Sequence, residues 1–461
     1  MKKVALLIAI GILYGFDASG QMYYHEGRQI CCGQDLLRGN HAALGINPAE
    51  LGRPDQFMSS FGILQTGINF YSNQLSLGQL FDITLTDNEI SEVLLDELTS
   101  GRRDGNFKYN ANMEASWLAV SLASPKLGGL AVTVRDRVSS TSSMSNDMLG
   151  LMLLGQNSTV YQRSTHPLDL LYTGDGTTMN YSHLREAHLG YGRKVFESKL
   201  FNLYLGGSVK RLWGIGYFQS SIREGFIGGA SAFSQFYNIN YGSLKNPDQQ
   251  FRRKLMNSSG SGYSYDIGGS LSLAAPIWLG WSIVDMGKVT WTDQVIASET
   301  SYLDFIETLN EDGLIGSSGF KDEVGNVYDA FDFRESDEFE TYLNTAMRLN
   351  GSAKLIGGLS ISSEMILPLH DNRDNVMNYH PATYVFGVNY RLGLPGNGSA
   401  NLSSAYFFNK QYGSRVPLGV SVGLGRVVSF SLSTPDVLTL ITGGGKHPFP
   451  GFSLAGLNLL F

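Results

Sequence analysis

The feature that most constrains this chain is a period-two alternation of apolar with polar or small residues, repeated along most of its length. Between Tyr263 and Leu273 the odd positions are Tyr263, Tyr265, Ile267, Gly269, Leu271 and Leu273, while the even ones are Ser264, Asp266, Gly268, Ser270 and Ser272. The stretch from Phe201 to Lys210 separates in the same way, and so do Tyr384–Leu392, Leu418–Leu424 and Val428–Ser433. Side chains of a strand point alternately to its two faces, so each stretch reads as a strand that is greasy on one side and wet on the other. Many such strands imply a large antiparallel sheet. A soluble sandwich or propeller alternates too; an outer-membrane barrel does so because lipid lies outside the wall and water within.

The two ends of the sequence bear on that choice. Lys2 and Lys3 precede an apolar run from Val4 to Phe16, and small residues follow, so residues 1–20 are expected to be an export signal cleaved between Gly20 and Gln21. Thirteen apolar residues fall short of the about 20 that span a bilayer as a helix. Residues 21–461 then form one domain, an expected outer-membrane barrel. Their last stretch, Gly456, Leu457, Asn458, Leu459, Leu460 and Phe461, places Leu457, Leu459 and Phe461 on one face. It resembles the C-terminal signal read by the bacterial barrel-assembly machinery, which is the partner expected during biogenesis.

Composition agrees. The chain holds 55 glycines in 461 residues, about 12% against the usual ~7%, with 23 tyrosines and 25 phenylalanines. No later apolar run reaches helical membrane-span length; the best, Leu271–Val284, is cut by Pro276. Without residues 1–20, which hold Lys2, Lys3 and Asp17, the 34 basic and 41 acidic residues become 32 and 40, a balance that does not invite nucleic acid. Cys31 and Cys32 are adjacent and offer no staple for a chain of this size.

Strands are expected near 56–72, 106–123, 128–140, 180–195, 200–216, 262–275, 277–291, 351–366, 382–394, 398–410, 415–425, 427–434 and 451–461, with weaker signals at 74–86 and 228–243. An even total of about fourteen is the physical expectation for a single-chain bacterial barrel. Tight connections at 125–128, 196–199 and 275–276 contrast with long polar ones at 141–179, 218–261 and 292–350, the former expected to be periplasmic. Short helices are expected in two of the connections, after the capping pattern Thr86–Glu89 and from Ser145 to Leu154 before Gly155. Residues 298–342 are strongly acidic but lack the regular spacing of a calcium loop, so a solvated surface is the expectation beside calcium or a basic partner.

Several patterns look like chemistry. Gly419-Val420-Ser421-Val422-Gly423 fits a hydrolase nucleophile motif, which works only at a strand-to-helix elbow and here lies inside an alternating strand. Gly443–Lys446 lacks the following Ser or Thr of a phosphate loop, since His447 stands there. His183 and His188 have opposite parity and are not expected to share a metal. His370 with Asp371 and Asp374 reads as a polar turn. No catalytic, cofactor or metal site is expected, and no enzyme.

Asn47-Pro48-Ala49, just before the first strand, resembles the N-P-A segment of FadL-like outer-membrane barrels. The run Ser282–Trp291, with Asp285, Gly287 and Trp291, looks like the D-x-G-x-x-x-W strand of an uncharacterised Bacteroidota family of such barrels. Leu151–Asn157, the strand through Glu186 and Leu189–Tyr191, and Lys210–Gly214 are similar to that family in order and spacing, although Gln156 stands where its Asn is expected. The resemblance implies an all-β, single-barrel fold of about fourteen strands with short helices in its connections, located in the outer membrane among its lipids. Relatives include transporters of hydrophobic compounds and the shuttle barrel of type IX secretion. A channel or transporter for a small or hydrophobic solute is therefore expected; the alternative is a non-transporting scaffold in a Bacteroidota secretion, gliding or surface-assembly complex, bound to an envelope protein.

Overall fold

The computed structural model describes residues 38–54, 58–63, 65–74, 106–170, 172–234, 236–237, 257–273, 276–301, 334–370, 376–377, 381–395, 398–410, 413–424, 428–442 and 451–460. The described chain is all-β and mostly antiparallel. Its first strands are β1 Met58–Ile63, β2 Gln65–Ser72, β3 Phe107–Ser124, β4 Gly128–Met144, β5 Thr178–Glu197, β6 Phe201–Arg223 and β7 Phe226–Phe233. Then come β8 Gly260–Leu273, β9 Ile277–Trp291, β10 Val295–Ser301, β11 Arg334–Glu335, β12 Phe339–Leu343, β13 Ala346–Lys354 and β14 Leu359–Pro368. The last are β15 Val376–Met377, β16 Thr383–Leu394, β17 Gly398–Asn409, β18 Gly413–Arg415, β19 Leu418–Leu424, β20 Val428–Thr434 and β21 Gly451–Leu460. Among the described residues three α-helices interrupt them, α1 Asn146–Leu154, α2 Thr159–Arg163 and α3 Val437–Thr442. Among the described residues no helix is long and apolar enough to cross a membrane.

Antiparallel pairing runs from β3 through β4, β5, β6, β8, β9, β13, β14, β16, β17, β19 and β20 to β21. β21 pairs on its other side with β1 and β2, and both pair with β3. β1 and β2 keep one register against β3, from Ser60 opposite Ser121 to Gln65 opposite Ser116. β7, β10, β11 and β12 extend the sheet at the end away from the short turns. The sole parallel contact among the described strands joins β12 to β15.

The alternation seen in sequence is the alternation of exposure. On β16, Tyr384, Phe386, Val388, Tyr390, Leu392 and Leu394 are exposed, and on β20 Phe430 and Leu432 are exposed between buried Ser431 and Ser433. Charged and hydroxyl side chains populate the opposite face, which is the inner one. β-branched and aromatic residues suit a pleated surface, and the alternation of apolar outward with polar inward residues on strands such as β16 and β20 holds the register, because a one-residue slip would exchange the two faces.

Three sequence expectations change. Residues 351–366 form parts of two strands: Leu355–Gly358 turns the chain between β13 and β14, with φ of 69° at Gly357 and 87° at Gly358. Only glycine enters that region without a steric penalty, and the apolar residues around the pair hide the turn in a hydrophobicity pattern. The segment 292–350, expected as a loop, contains β10 and β12, and 218–261 contains the end of β6 and all of β7. Within 141–179, β4 runs on to Met144 and α1 follows. There Ser145 Oγ accepts from Met148 N at 3.0 Å and Gly155 closes the helix with φ 52°. The expected export signal, Cys31 and Cys32, all but Gln74 of the weak strand at 74–86, and the helix after Thr86 lie outside the described residues.

Candidate functional site

The inner face of β3 to β9 carries a segment from the N-terminal side of the first strand. Asn40 and Asn47 each cap a short 3-10 helix, accepting from Ala42 N and Ala49 N through their side-chain oxygens, both at 3.1 Å. Pro48 follows at the first helical position, where its missing N–H costs nothing. The amide of Asn47 points the other way, donating to Gly269 O on β8 at 3.1 Å. Ser282 Oγ on β9 donates to Ile46 O at 2.5 Å, Ser270 Oγ on β8 donates to the Glu50 carboxylate, and Ser121 Oγ on β3 donates to Gly39 O at 3.1 Å. Arg53 pairs with Glu50 at 2.9 Å and stacks its guanidinium 5.1 Å from the Trp278 ring.

The floor beneath this segment is glycine. A Cβ at Gly192 would stand 2.4 Å from Pro48 O, one at Gly206 would stand 2.4 Å from Pro48 C, and one at Gly268 would stand 2.2 Å from Asn47 Oδ1. Any side chain at these positions of β5, β6 and β8 would displace the backbone of Asn47-Pro48-Ala49. Leu44, Ile46, Ala49 and Leu51 are buried accordingly.

Farther along the same strands, away from the short turns, lies a network of buried charges. Glu186 on β5 binds Arg135 at 2.8 Å and also Arg137, both from β4. Arg135 reaches Glu114 on β3 at 3.3 Å. Arg137 continues to Asp285 on β9 at 3.4 Å, and Lys210 on β6 joins Asp285 at 2.5 Å to Asp266 on β8 at 2.8 Å. The side chains of Glu114, Glu186, Lys210 and Asp266 are fully buried. Removing such charges from water is costly, and only mutual pairing with hydrogen bonds offsets it.

His188, Ser208 and Asp266 also meet here, yet not as a nucleophile relay. His188 Nε2 contacts both Ser208 Oγ at 2.8 Å and Asp266 Oδ2 at 3.1 Å. A relay instead uses one ring nitrogen for the hydroxyl and the other for the carboxylate. Ser208 Oγ additionally donates to Asp266 at 2.9 Å, and Lys210 holds that carboxylate. The arrangement is an ion-paired brace.

The residues Asp285, Gly287 and Trp291 divide the work on β9. The register against β8 shifts between Tyr265 and Ile267, and Asp285 occupies the resulting bulge with φ 60°. Its N–H donates to Asp266 Oδ1 at 2.9 Å and its carbonyl accepts from Thr345 Oγ1 at 2.9 Å. The bulge turns the Asp285 carboxylate onto Lys210 and Arg137; re-aiming a side chain is a common use of such bulges. Gly287 lies so close to β8 that a Cβ would stand 2.1 Å from Tyr263 O. Trp291 covers Gly214 and Gly260, donates Nε1–H to Thr341 Oγ1 at 2.8 Å, and packs with Tyr217 and Phe339. These belong to an apolar inner cluster with Leu184, Leu212, Val289, Leu343 and Met377.

Residues of the separate sequence motifs thus meet on the inner face: Asn47-Pro48-Ala49, Glu186, Lys210, Gly214, Asp285 and Trp291. Arg135, Arg137, Asp266 and Glu114 join them. Their signal in the sequence was charge on the polar parity of successive strands, as in Arg135 and Arg137 or Ser264 and Asp266. His183 shares no partner with His188; its Nδ1 bonds Tyr237 Oη at 2.6 Å. Ser421 lies within β19 opposite Ser431, its Oγ accepting from Asn401 Nδ2 at 3.0 Å. His370 Nε2 is 3.2 Å from Thr345 Oγ1, while Asp371, Asp374 and the run Gly443–His447 lie outside the described residues. Of the acidic segment, Glu335, Asp337, Glu338 and Glu340 are exposed, and 302–333 lie outside the described residues. At the tail, Leu457 and Leu459 pair through their backbones with Ile63 and Phe61 of β1. Gly456 lies where the β20–β21 register shifts, and Phe461 lies outside the described residues.

No curated protein matches the chain. Solved structures resemble it at low similarity. The toluene transporter TodX of Pseudomonas putida is 9% identical with a TM-score of 0.43, covering 96% of this chain and 98% of that one. The Ralstonia pickettii toluene transporter TbuX is 10% identical at 0.43, covering 96% and 99%. A Pseudomonas aeruginosa FadL homologue is 12% identical at 0.40, covering 96% and 98%. Membership rests instead on a family model that matches residues 52–434, from the end of the N-terminal inner segment to the end of β20: the chain belongs to the family of unknown function DUF5723.

Proposed function

We propose that this chain is a closed outer-membrane β-barrel of fourteen strands that passes a small hydrophobic solute. The observation that carries the reading is the two-faced wall, in which exposed apolar side chains on the outer face back onto serines, asparagines and ion pairs on the inner face. Taking β1 and β2 as one span, the pairing order β1/β2, β3, β4, β5, β6, β8, β9, β13, β14, β16, β17, β19, β20, β21 has fourteen positions and returns to its start. In lipid every backbone N–H and C=O needs a partner, and a cyclic ladder supplies one. The choice of a hydrophobic solute draws on inward-facing apolar side chains that a water-filled pore does not need: a packed, buried cluster around Trp291 and a second one at Val284, Ala346 and Ile366.

The scaffold alternative drew on the long loops, which hold β7, β10 and β12, and on the acidic segment, most of which lies outside the described residues, so it gains no support from the fold. The test is uptake by intact cells, since the outer leaflet, more than the inner membrane, holds back apolar solutes. A strain lacking the protein should take up a labelled hydrophobic solute more slowly than its parent, and plasmid expression should restore the rate. Equal uptake across a series of apolar solutes would contradict transport while leaving the barrel standing.

A further inference from the structure

On the outer face of the described strands, away from the short turns, charge gathers in one band. Among the described residues the outward positions of β16, β17, β19 and β20 carry no acidic or basic side chain. On the opposite part of the sheet, Arg211 of β6 pairs with Tyr263 of β8, Tyr263 with Lys288 of β9, and Lys288 with Tyr342 of β12. Directly paired residues share a face, so the four form one outward row. Tyr263 is 53% exposed and Tyr342 41%.

The row sits at a defined height. Tyr263 is ten residues from Leu273, where β8 meets its short turn, and Arg211 is ten residues from Phe201, where β6 leaves its own. At about 3.3 Å per residue and a tilt of about 40°, ten residues climb roughly 25 Å, the height of a lipid-facing apolar band. Below the row the outward side chains Tyr265, Ile267, Leu205 and Leu279 are apolar or aromatic, and Arg193, which pairs with Leu205, stands near the short-turn end of β5. The cations therefore stand at the upper margin of that band.

Arg211 is held in place without being neutralised. Its guanidinium carbon lies 4.6 Å from the Tyr263 ring and 5.8 Å from the Trp213 ring, and Nη1 donates to Gly262 O at 3.4 Å. No carboxylate touches it among the described residues. Lys288 shares Glu340 at 2.6 Å, and Arg185 is spent on Asp136 at 2.7 Å. A guanidinium clamped between aromatic rings keeps its donor fork for a planar oxyanion such as phosphate.

We propose that Arg211, flanked by Trp213, Tyr263 and Lys288, is a binding site for the phosphate of a lipid headgroup in the leaflet at the long-loop end. This rests on the membrane-barrel reading. The test places the purified protein in neutral phosphatidylcholine nanodiscs doped with bisphosphorylated lipid A or its dephosphorylated form, and measures the retained lipid by native mass spectrometry. Wild type should retain the phosphorylated form preferentially, R211Q should lose about fivefold of that retention, and the exposed charge control K410Q should lose none. Inorganic phosphate should not displace the lipid. Equal retention of both lipids by wild type, equal retention by R211Q, or displacement by inorganic phosphate would each overturn the site. Faster migration of the same unheated samples on a gel reports the barrel separately, so a folded barrel without lipid preference defeats the headgroup site alone.

Discussion

Asn47 donates through its side-chain amide to the backbone carbonyl of Gly269 at 3.1 Å, a bond between residues 222 positions apart. One side chain both caps its own turn and fastens that turn to the inner face of β8. The neighbouring Gly268 makes room for it, because a Cβ there would fall 2.2 Å from Asn47 Oδ1.

Gly268→Val is therefore expected to lift the Asn40–Arg53 segment from the wall. Overpacking of a filled site costs about 1–3 kcal/mol, which should appear as earlier loss of the fast-migrating form on heating and as protease cleavage near Asn47. Gly207→Ala is the control, since a Cβ there meets nothing closer than 3.7 Å.

Lys210 joins two carboxylates in the buried network. Lys210→Met leaves Asp266 without its lysine and Asp285 with Arg137 alone, and breaking a buried pair costs about 3–5 kcal/mol. The double variant Lys210→Met/Asp266→Asn should recover part of that loss in urea titrations of the folded protein. A double variant no more stable than Lys210→Met would contradict the assigned pairing.

Trp291→Ala should destabilise by about 3–5 kcal/mol through the cavity it leaves over Gly214 and Gly260. Adding Gly214→Leu to that variant should return part of the loss by refilling the space, whereas Gly214→Leu alone should be destabilising. Thermal unfolding of the four proteins reads both terms.

Between β4 and β5, Asp169 accepts from Thr165 N, Thr165 Oγ1 and His166 N at 2.9, 3.0 and 2.9 Å. These bonds hold its carboxyl below the usual carboxylate range. A lowered folded-state value means that the turn's added stability is present above the unfolded value, near pH 4, and is lost as pH falls through the lowered one. Amide exchange at Thr165 and His166 should therefore quicken only in strong acid in the parent, and be quick already near neutrality in Asp169→Asn.

Parity made the sheet legible: the faces of Tyr263–Leu273 and of the strand through Tyr384 are those read from the residues. The capping of α1 was legible too, because Ser145 and Gly155 act locally. The turn at Gly357–Gly358 was not, since apolar residues on both sides carry the alternation across it. Nor was the inner assembly as such. Asn47, Lys210 and Asp285 each stand in a motif, but their meeting depends on pairings over long stretches of chain that no local pattern encodes. The outer row of Arg211 and Lys288 escaped for a simpler reason: single charges in apolar strands look incidental until the register aligns them.

The central claim, a wall with lipid on one side, is tested most directly by spin labels at two adjacent positions of β16, Val388→Cys and Asn389→Cys, in reconstituted protein. Val388 is 50% exposed on the outer face and Asn389 alternates to the inner one. The label at 388 should collide preferentially with oxygen, which concentrates in lipid, and the label at 389 with a water-soluble nickel complex. Equal collision with the nickel complex at both positions would contradict the claim.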